Sequence, residues 1–391
     1  MIIAIFVILT LLLLPDFYIY GMYLRNIPLV WKLLFFAPSV VALLSLFSAK
    51  FFGLNNTITT IFLVVLLCFA LPKMVFMGIS LIAKLLGIWS ITSYHVTTII
   101  GIVAASLVSV MAVYGLTFGW KHLETQHVDL YFDDLPDAFD GYRIAHLSDL
   151  HVGSYGDKTK FIQKIVEQVN KENPDLVAFT GDIVNTEPEE LQPFTQTLSQ
   201  LHAKNGVVSV LGNHDYCLYG DRSRWSDVRE GGLKVAEIEQ TMGWNVLMNE
   251  SFVVERDSEK IAIVGVENTG KPPFPQIGNL PKAVSGITHY DTAKCNENIF
   301  TILLSHDPSH WRMEVLPKTD IPLMLSGHTH AAQLKIGNWS PVKWMYKEWS
   351  GLYQSDNQQL YISEGVGGTL PFRFGARPQI IIITLHKRVT K

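Results

Sequence analysis

Cysteine is scarce: 391 residues contain three, Cys68, Cys217 and Cys295, with no C-x-x-C pair among them. That rules out a disulfide framework or a zinc ribbon, and it argues against any thiolate metal site. Charge is also sparse. Only 17% of residues are Asp, Glu, Lys or Arg, and the formal net charge is -4. A chain of this balance lacks the basic field that nonspecific nucleic-acid binding requires, so no nucleic-acid partner is expected. Carboxylates are few in the first 120 residues, which speaks against a coupled transporter, since such proteins commonly use intramembrane acids.

What that first third has instead is apolar length. Stretches at roughly 2–22, 29–48, 57–83 and 96–119 each approach the ~20 residues that cross a hydrocarbon core. The first has no basic start and is followed by more apolar segments, so it reads as a retained span rather than a cleaved signal. Pro38 and Pro72 fall inside such segments, where a packed membrane bundle satisfies the freed carbonyls. The expectation is a multi-pass region of about four spans over residues 1–120, followed by a second domain over 121–391. Arg25, Lys32 and Lys84 near one set of loops balance Lys50, Lys121 and Arg143 on the other, so the positive-inside bias selects no side for the second domain.

Beyond Trp120 the texture changes to short apolar runs bounded by Gly, Pro, Asn and Asp. Residues 143–147, 176–180, 207–211, 261–266, 299–304, 322–325 and 360–362 suit buried strands. Between the first two runs, Phe161, Ile162, Ile165, Val166 and Val169 recur at helical spacing, and Asn173-Pro174 follows as a stop. Strand, helix, strand in this order indicates an α/β domain.

Five of those strands end in metal-binding side chains. The motifs are Ser-Asp-Leu-His at 148–151, Gly-Asp at 181–182, Gly-Asn-His-Asp at 212–215, Ser-His at 305–306 and Gly-His-Thr-His at 327–330. Loops beyond the carboxyl ends of strands converge in open α/β sheets, so ligands distant in sequence can meet there. Carboxylate, amide and imidazole donors suit Mn, Fe or Zn. Seven such side chains, with Asp182 as the evident bridging carboxylate, fit two divalent metal ions better than one. A lone Asp-Leu-His or Gly-Asp after an apolar run is more often a turn or a helix cap. Five in succession at strand ends have no such separate explanation.

This ordered series, D-x-H, G-D, G-N-H-D, H and G-H-x-H, resembles the calcineurin-like metallophosphoesterase superfamily, over Leu135 to Leu385. Within it the likeness is greatest to the YkuE/YaeI-like branch, whose members often carry an N-terminal membrane segment. It is carried by Phe139 to Gly153, Gly212 to Tyr216, Gly327 to Gln333 and Tyr361 to Pro378. The resemblance implies a four-layer α/β/β/α domain, with two packed mixed sheets flanked by helices. It implies that Asp149, His151, Asp182 and His330 hold one metal, that Asp182, Asn213, His306 and His328 hold the other, and that His214 is the catalytic acid. In that scheme a hydroxide bridging the ions attacks phosphorus while His214 protonates the leaving oxygen. The implied activity is hydrolysis of a phosphomonoester, phosphodiester or pyrophosphate. Membrane anchorage adds the bilayer as a partner and raises lipid-linked substrates as a class, with no obligatory protein partner evident. A noncatalytic sensor domain would have lost a ligand or the acid, and no position is missing. Ala331 and Ala332 stand where relatives often have Gly, which bears on loop shape.

Other features take ordinary readings. His146 is expected in the core, while His310 and His122 are expected at the surface. Asp215 either orients an imidazole or serves a loop hydrogen bond. Arg373 and Arg377 are either phosphate contacts or solvated. Trp311, Trp339, Trp344 and Trp349 form either an apolar lip or the packing of an insertion.

Overall fold

The apolar segments of the first third become helices in the computed structural model, which describes residues 2–52, 56–156, 158–285, 287 and 299–388. Cys295 lies outside the described residues. Two compact units result, Met1–Thr117 and Phe118–Lys391.

In the first unit, helices span Ile2–Ile19, Leu29–Phe52, Asn56–Val65, Leu71–Gly87 and Ile91–Thr117. Three helical rods, Leu29–Ser48, Thr57–Gly87 and Ile91–Lys121, are long and apolar enough to cross a membrane; Ile8–Leu24 is a shorter apolar helix. The helix Ile2–Ile19 runs on into the π-helical turn Tyr20–Leu24, so three to four of the apolar helices could cross a membrane. The Thr57–Gly87 rod contains a π-helical turn, Leu66–Ala70, immediately before Pro72. Proline has no N–H and collides with the carbonyl four residues back, so the hydrogen-bond ladder widens there instead of breaking. Large apolar side chains such as Leu33, Leu85 and Val110 are exposed on this unit, as lipid-facing residues are in an isolated bundle. Inside it, Lys73 Nζ lies 2.6 Å from Asp16 Oδ1 and donates to the Phe35 carbonyl at 3.0 Å.

Among the described residues the second unit contains twelve strands in two six-stranded sheets. They are β1 Glu124–Phe132, β2 Tyr142–Leu147, β3 Leu176–Phe179, β4 Val207–Ser209, β5 Asn245–Val246, β6 Glu250–Arg256, β7 Glu259–Gly265, β8 Phe300–Leu304, β9 Leu323–Ser326, β10 Gly351–Ser355, β11 Gln358–Ile362 and β12 Gln379–Lys387. One sheet runs β1-β12-β2-β3-β4-β5 and the other β10-β11-β9-β8-β7-β6. Both are mixed: β12 is antiparallel to β2 while β2, β3, β4 and β5 are parallel, and β6 is antiparallel to β7 while β7, β8 and β9 are parallel.

Successive side chains of a strand point to opposite faces, and here both faces are covered. Ile144, Leu176, Ile381 and Ile383 pack against Ile263, Ile302, Leu304 and Leu325 between the sheets. Ala145, Val177, Ile380 and Ile382 face outward onto Ile162, Ile165 and Val169 of the helix Lys160–Lys171. On the far side Val264, Leu303 and Met324 pack against Trp311 and Val315. These are the four layers expected. Every apolar run expected as a strand is one. β12 was not among them, although its four consecutive isoleucines, Ile380–Ile383, are a strong strand signal. It sits between β1 and β2, second from one edge of its sheet.

Candidate metal centre

The parallel strands deliver their carboxyl ends to one rim. Asp149 and His151 follow β2, Asp182 follows β3, Asn213 and His214 follow β4, His306 follows β8, and His328 and His330 follow β9. Two sets of donor atoms converge there, Asp149, His151, Asp182 and His330 in one and Asp182, His306 and His328 in the other, each within 4.8 Å. Asp182 belongs to both. Its Oδ2 lies 3.1 Å from His306 Nε2 and 3.6 Å from His151 Nε2. His151 Nε2 and His330 Nε2 are 3.2 Å apart, as are His328 Nδ1 and His306 Nε2.

The loops reach this geometry through unusual backbone. Asp149, His151, Asp182, His328 and His330 all have φ between 47° and 71°, a left-handed region costing roughly 1–2 kcal/mol for a residue with a Cβ. Such strain persists only where the surroundings over-determine it, and it clusters at functional sites. Close approach needs glycine as well. A Cβ on Gly212 would collide with the Asp182 carboxylate, and one on Gly327 with Ser148 and Asp149.

Each imidazole is held by its other nitrogen. His306 Nδ1–H donates to the Thr180 carbonyl at 2.7 Å. His151 Nδ1–H donates to Asn185 Oδ1 at 3.1 Å, and Asn185 Nδ2 in turn donates to Ser154 Oγ. In both rings this turns Nε2 toward the cluster. Asn213 Nδ2 donates to the Tyr219 hydroxyl at 2.9 Å, whereas Asn213 Oδ1 is buried without a hydrogen-bond partner. A buried amide oxygen with no donor is costly unless a cation takes it. The donor set therefore fits divalent metal.

Electrostatics agree with neutral nitrogen ligands. Burial lowers His151 to about 3 and His328 to about 4, and holds His330 well below its usual value with help from His151 and Arg373. Their lone pairs are free of protons at neutral pH. For His306 burial acts downward, but Asp182 and Asp149 outweigh it and lift the ring to about 10, so a cation there competes with a proton. Burial pulls the Asp182 carboxyl upward, yet His306, His214 and His151 hold it well below the carboxylate range.

His214 stands at the rim of the cluster. Its amide donates to Asp182 Oδ1 at 2.8 Å and its Nδ1–H to the Asn185 carbonyl at 2.7 Å, which fixes the orientation of the ring. Asp215 does not orient an imidazole. Its carboxylate accepts from the amides of Asp182, Ile183, Val184 and Gly212, clamping the β3 loop onto the β4 loop.

Two sequence readings need correction. His310 is buried, not at the surface, bonded to Ser305 Oγ and Glu314; its side chain turns inward because it opens the helical segment that covers β8. Arg373 is 1% exposed and is neither solvated nor open to a phosphate, because its guanidinium donates to the carbonyls of Glu364 and Gly367. His146 is in the core as expected, His122 is exposed, and Arg377 is exposed beside Glu124. The tryptophans divide, with Trp311 and Trp349 buried and Trp339 and Trp344 exposed. Sequence reasoning missed Asn185, Asp307 and Tyr346, which contact imidazoles of the cluster. Asn185 lies three residues beyond Asp182, and Asp307 directly follows His306, so adjacency was the available signal; Tyr346 had none.

The calcineurin-like phosphoesterase family matches residues 142–332. A Bacillus subtilis protein, uncharacterized metallophosphoesterase YkuE, is 30% identical over 263 residues, which cover 64% of this chain and 81% of that protein. A Danio rerio transmembrane protein with metallophosphoesterase domain is 30% identical over 298 residues, 73% of this chain. The match covers 62% of that relative, less than two thirds of its length. UDP-2,3-diacylglucosamine pyrophosphatase LpxG of Chlamydia muridarum is 26% identical over 320 residues, 71% of this chain and 95% of that protein. The chain belongs to the calcineurin-like phosphoesterase family, a class of metal-dependent phosphoester hydrolases.

Proposed function

We propose that this protein is a membrane-anchored phosphoesterase that holds two divalent cations and hydrolyses a phosphodiester, phosphomonoester or pyrophosphate bond in a lipid-linked substrate. The observation that carries the reading is the Asp182 carboxylate, common to both donor sets. Asp149, His151, Asp182 and His330 would hold one cation, and Asp182, Asn213, His306 and His328 the other. With nitrogen and oxygen donors and no thiolate, Mn, Fe or Zn are the fitting metals. Such a pair supplies Lewis acidity to phosphoryl oxygens and a water acidified enough to act as nucleophile near neutral pH. The chain's own contribution is to fix the donors, through Asn185, Thr180 and Asp215, and to supply a proton. His214, pinned through Nδ1, presents Nε2 to the leaving oxygen.

Support for a lipid-linked substrate comes from the apolar helices, from the relative named as a UDP-2,3-diacylglucosamine pyrophosphatase, and from an apolar surface beside the site. Ile336, Trp339, Trp344 and Met345 are exposed in the segment between His330 and Tyr346. An exposed apolar patch of this kind suits contact with acyl chains or with the interface.

The test uses the purified full chain with added Mn. It should hydrolyse bis-p-nitrophenyl phosphate and retain two equivalents of metal, and Asp182→Asn should abolish both. His214→Ala should lower kcat about 100-fold or more with metal retained. Unchanged turnover in both variants refutes the enzyme assignment. Faster turnover of soluble nucleotides than of lipid-linked pyrophosphates at equal concentration refutes the substrate class alone.

A further inference from the structure

A second concavity, outside the metal cluster, opens beside the start of the second unit. Its volume is about 640 Å³. One wall is aromatic: Trp120, Tyr155 and Phe161 form a triangle, with ring centroids 5.7 Å apart for Trp120 and Tyr155, 5.5 Å for Trp120 and Phe161, and 5.3 Å for Tyr155 and Phe161. The other wall is basic. Lys121, Lys158, Lys160 and Lys164 line it, and all four are exposed. Among the described residues none of these ammonium groups forms an ion pair with a carboxylate; Lys121 Nζ lies over the Trp120 ring, 5.2 Å from its centroid.

The aromatic wall is continuous with the core, where Tyr155 is buried and Trp120 and Phe161 pack against it, but the basic wall is not needed to hold the fold. Lys160 and Lys164 lie one turn apart on the solvent side of the helix Lys160–Lys171, whose apolar side is already buried through Ile162, Ile165, Val166 and Val169. Four like charges around an apolar recess repel one another, an arrangement that a bound anion relieves. The position of the recess along the chain then narrows the anion. Trp120 is three residues beyond Thr117, the last residue of the apolar helix Ile91–Thr117, and three residues reach at most ~11 Å. Trp favours the membrane interface, and clustered lysines beside a membrane helix favour anionic lipid.

We propose that this recess is a docking site for the phosphate headgroup of an anionic phospholipid, with the lysines on the phosphate and the aromatic triangle against the glycerol and upper acyl carbons. The site adjoins the metal centre through its own backbone. Tyr155 ends the turn Val152–Tyr155 that His151 opens, and Ser154 Oγ ties that turn to the Gly368 carbonyl at 2.6 Å. A headgroup in the recess therefore seats the His151 loop at the level of the lipid phosphates.

The test reads docking and not turnover, so its outcome is separate from that of the phosphoesterase assignment. The full chain is placed in phosphatidylcholine nanodiscs with and without phosphatidylglycerol, and amide hydrogen exchange is followed over residues 155–165. Phosphatidylglycerol should slow exchange there several-fold, and a combined Lys158→Gln, Lys160→Gln, Lys164→Gln variant should lose that protection while melting normally in neutral discs. Equal exchange in the two discs, or protection that survives in the variant, overturns the proposal. Equal protection by millimolar inorganic phosphate in neutral discs also overturns it, by identifying a site for free anions.

Discussion

The Tyr346 hydroxyl lies 2.7 Å from Nε2 of His328. The same hydroxyl donates to Asp307 Oδ2 at 3.3 Å, so its oxygen accepts from His328 Nε2–H. That fixes the tautomer of His328 and turns its Nδ1 lone pair toward His306 and Asp182. Groups that orient a ligand imidazole in this way are worth about 10–100-fold in metal affinity. Tyr346→Phe should weaken metal binding by that factor, read by titrating the metal-stripped full chain with Mn, while the melting temperature of the metal-free protein changes little. An unchanged affinity would show that the phenol does not orient the ring.

Ala332 has φ of 50° and is exposed. Left-handed backbone costs alanine roughly 1–2 kcal/mol, and glycine avoids this at the expense of about 0.5–1 kcal/mol of unfolded-state entropy. Ala332→Gly should therefore stabilise the full chain by up to ~1 kcal/mol, seen as a raised melting temperature in detergent. A lower melting temperature would mean that the loop's conformation is not strained at this position.

Burial holds His146 neutral, with its pKa lowered from 6.5 to about 3. Between those values the unfolded chain binds a proton that the folded chain refuses. The contribution of His146 to stability is thus complete above pH 6.5 and falls as the medium is acidified, by at most ~1.4 kcal/mol per pH unit. His146→Gln keeps a polar group near Thr180 Oγ1, to which Nε2 is 2.9 Å distant, but cannot titrate. Denaturant unfolding between pH 7 and 4.5 should show a shallower acid decline in the variant by about one proton. Identical slopes would remove His146 from the acid response.

Lys73 and Asp16 join two helices of the first unit, and Asp16 is fully buried. Removing one member of a buried ion pair leaves the other uncompensated, at a cost of about 3–5 kcal/mol. Lys73→Met alone should sharply lower the melting temperature in detergent. The double change with Asp16→Leu should recover most of the loss, because neither charge then remains buried. A single variant as stable as the parent would show that water reaches Asp16.

The sequence by itself determined the composition of both units and the chemistry of the rim. Apolar length, strand-like runs and the order of short motifs are local properties, so the helices of the first third, seven of the strands and the ligand candidates Asp149 through His330 were all legible without coordinates. Tertiary structure alone decided that β12 is threaded between β1 and β2, that Asp182 serves two donor sets at once, and that Asp215 clamps loops instead of an imidazole. It also decided the burial of Arg373 and His310 and the roles of Asn185, Asp307 and Tyr346. The physical reason is common to all of these. Burial, left-handed backbone and the tautomer of a ring are set by neighbours that meet only after the two sheets pack, and no local pattern of residues encodes which neighbour that will be.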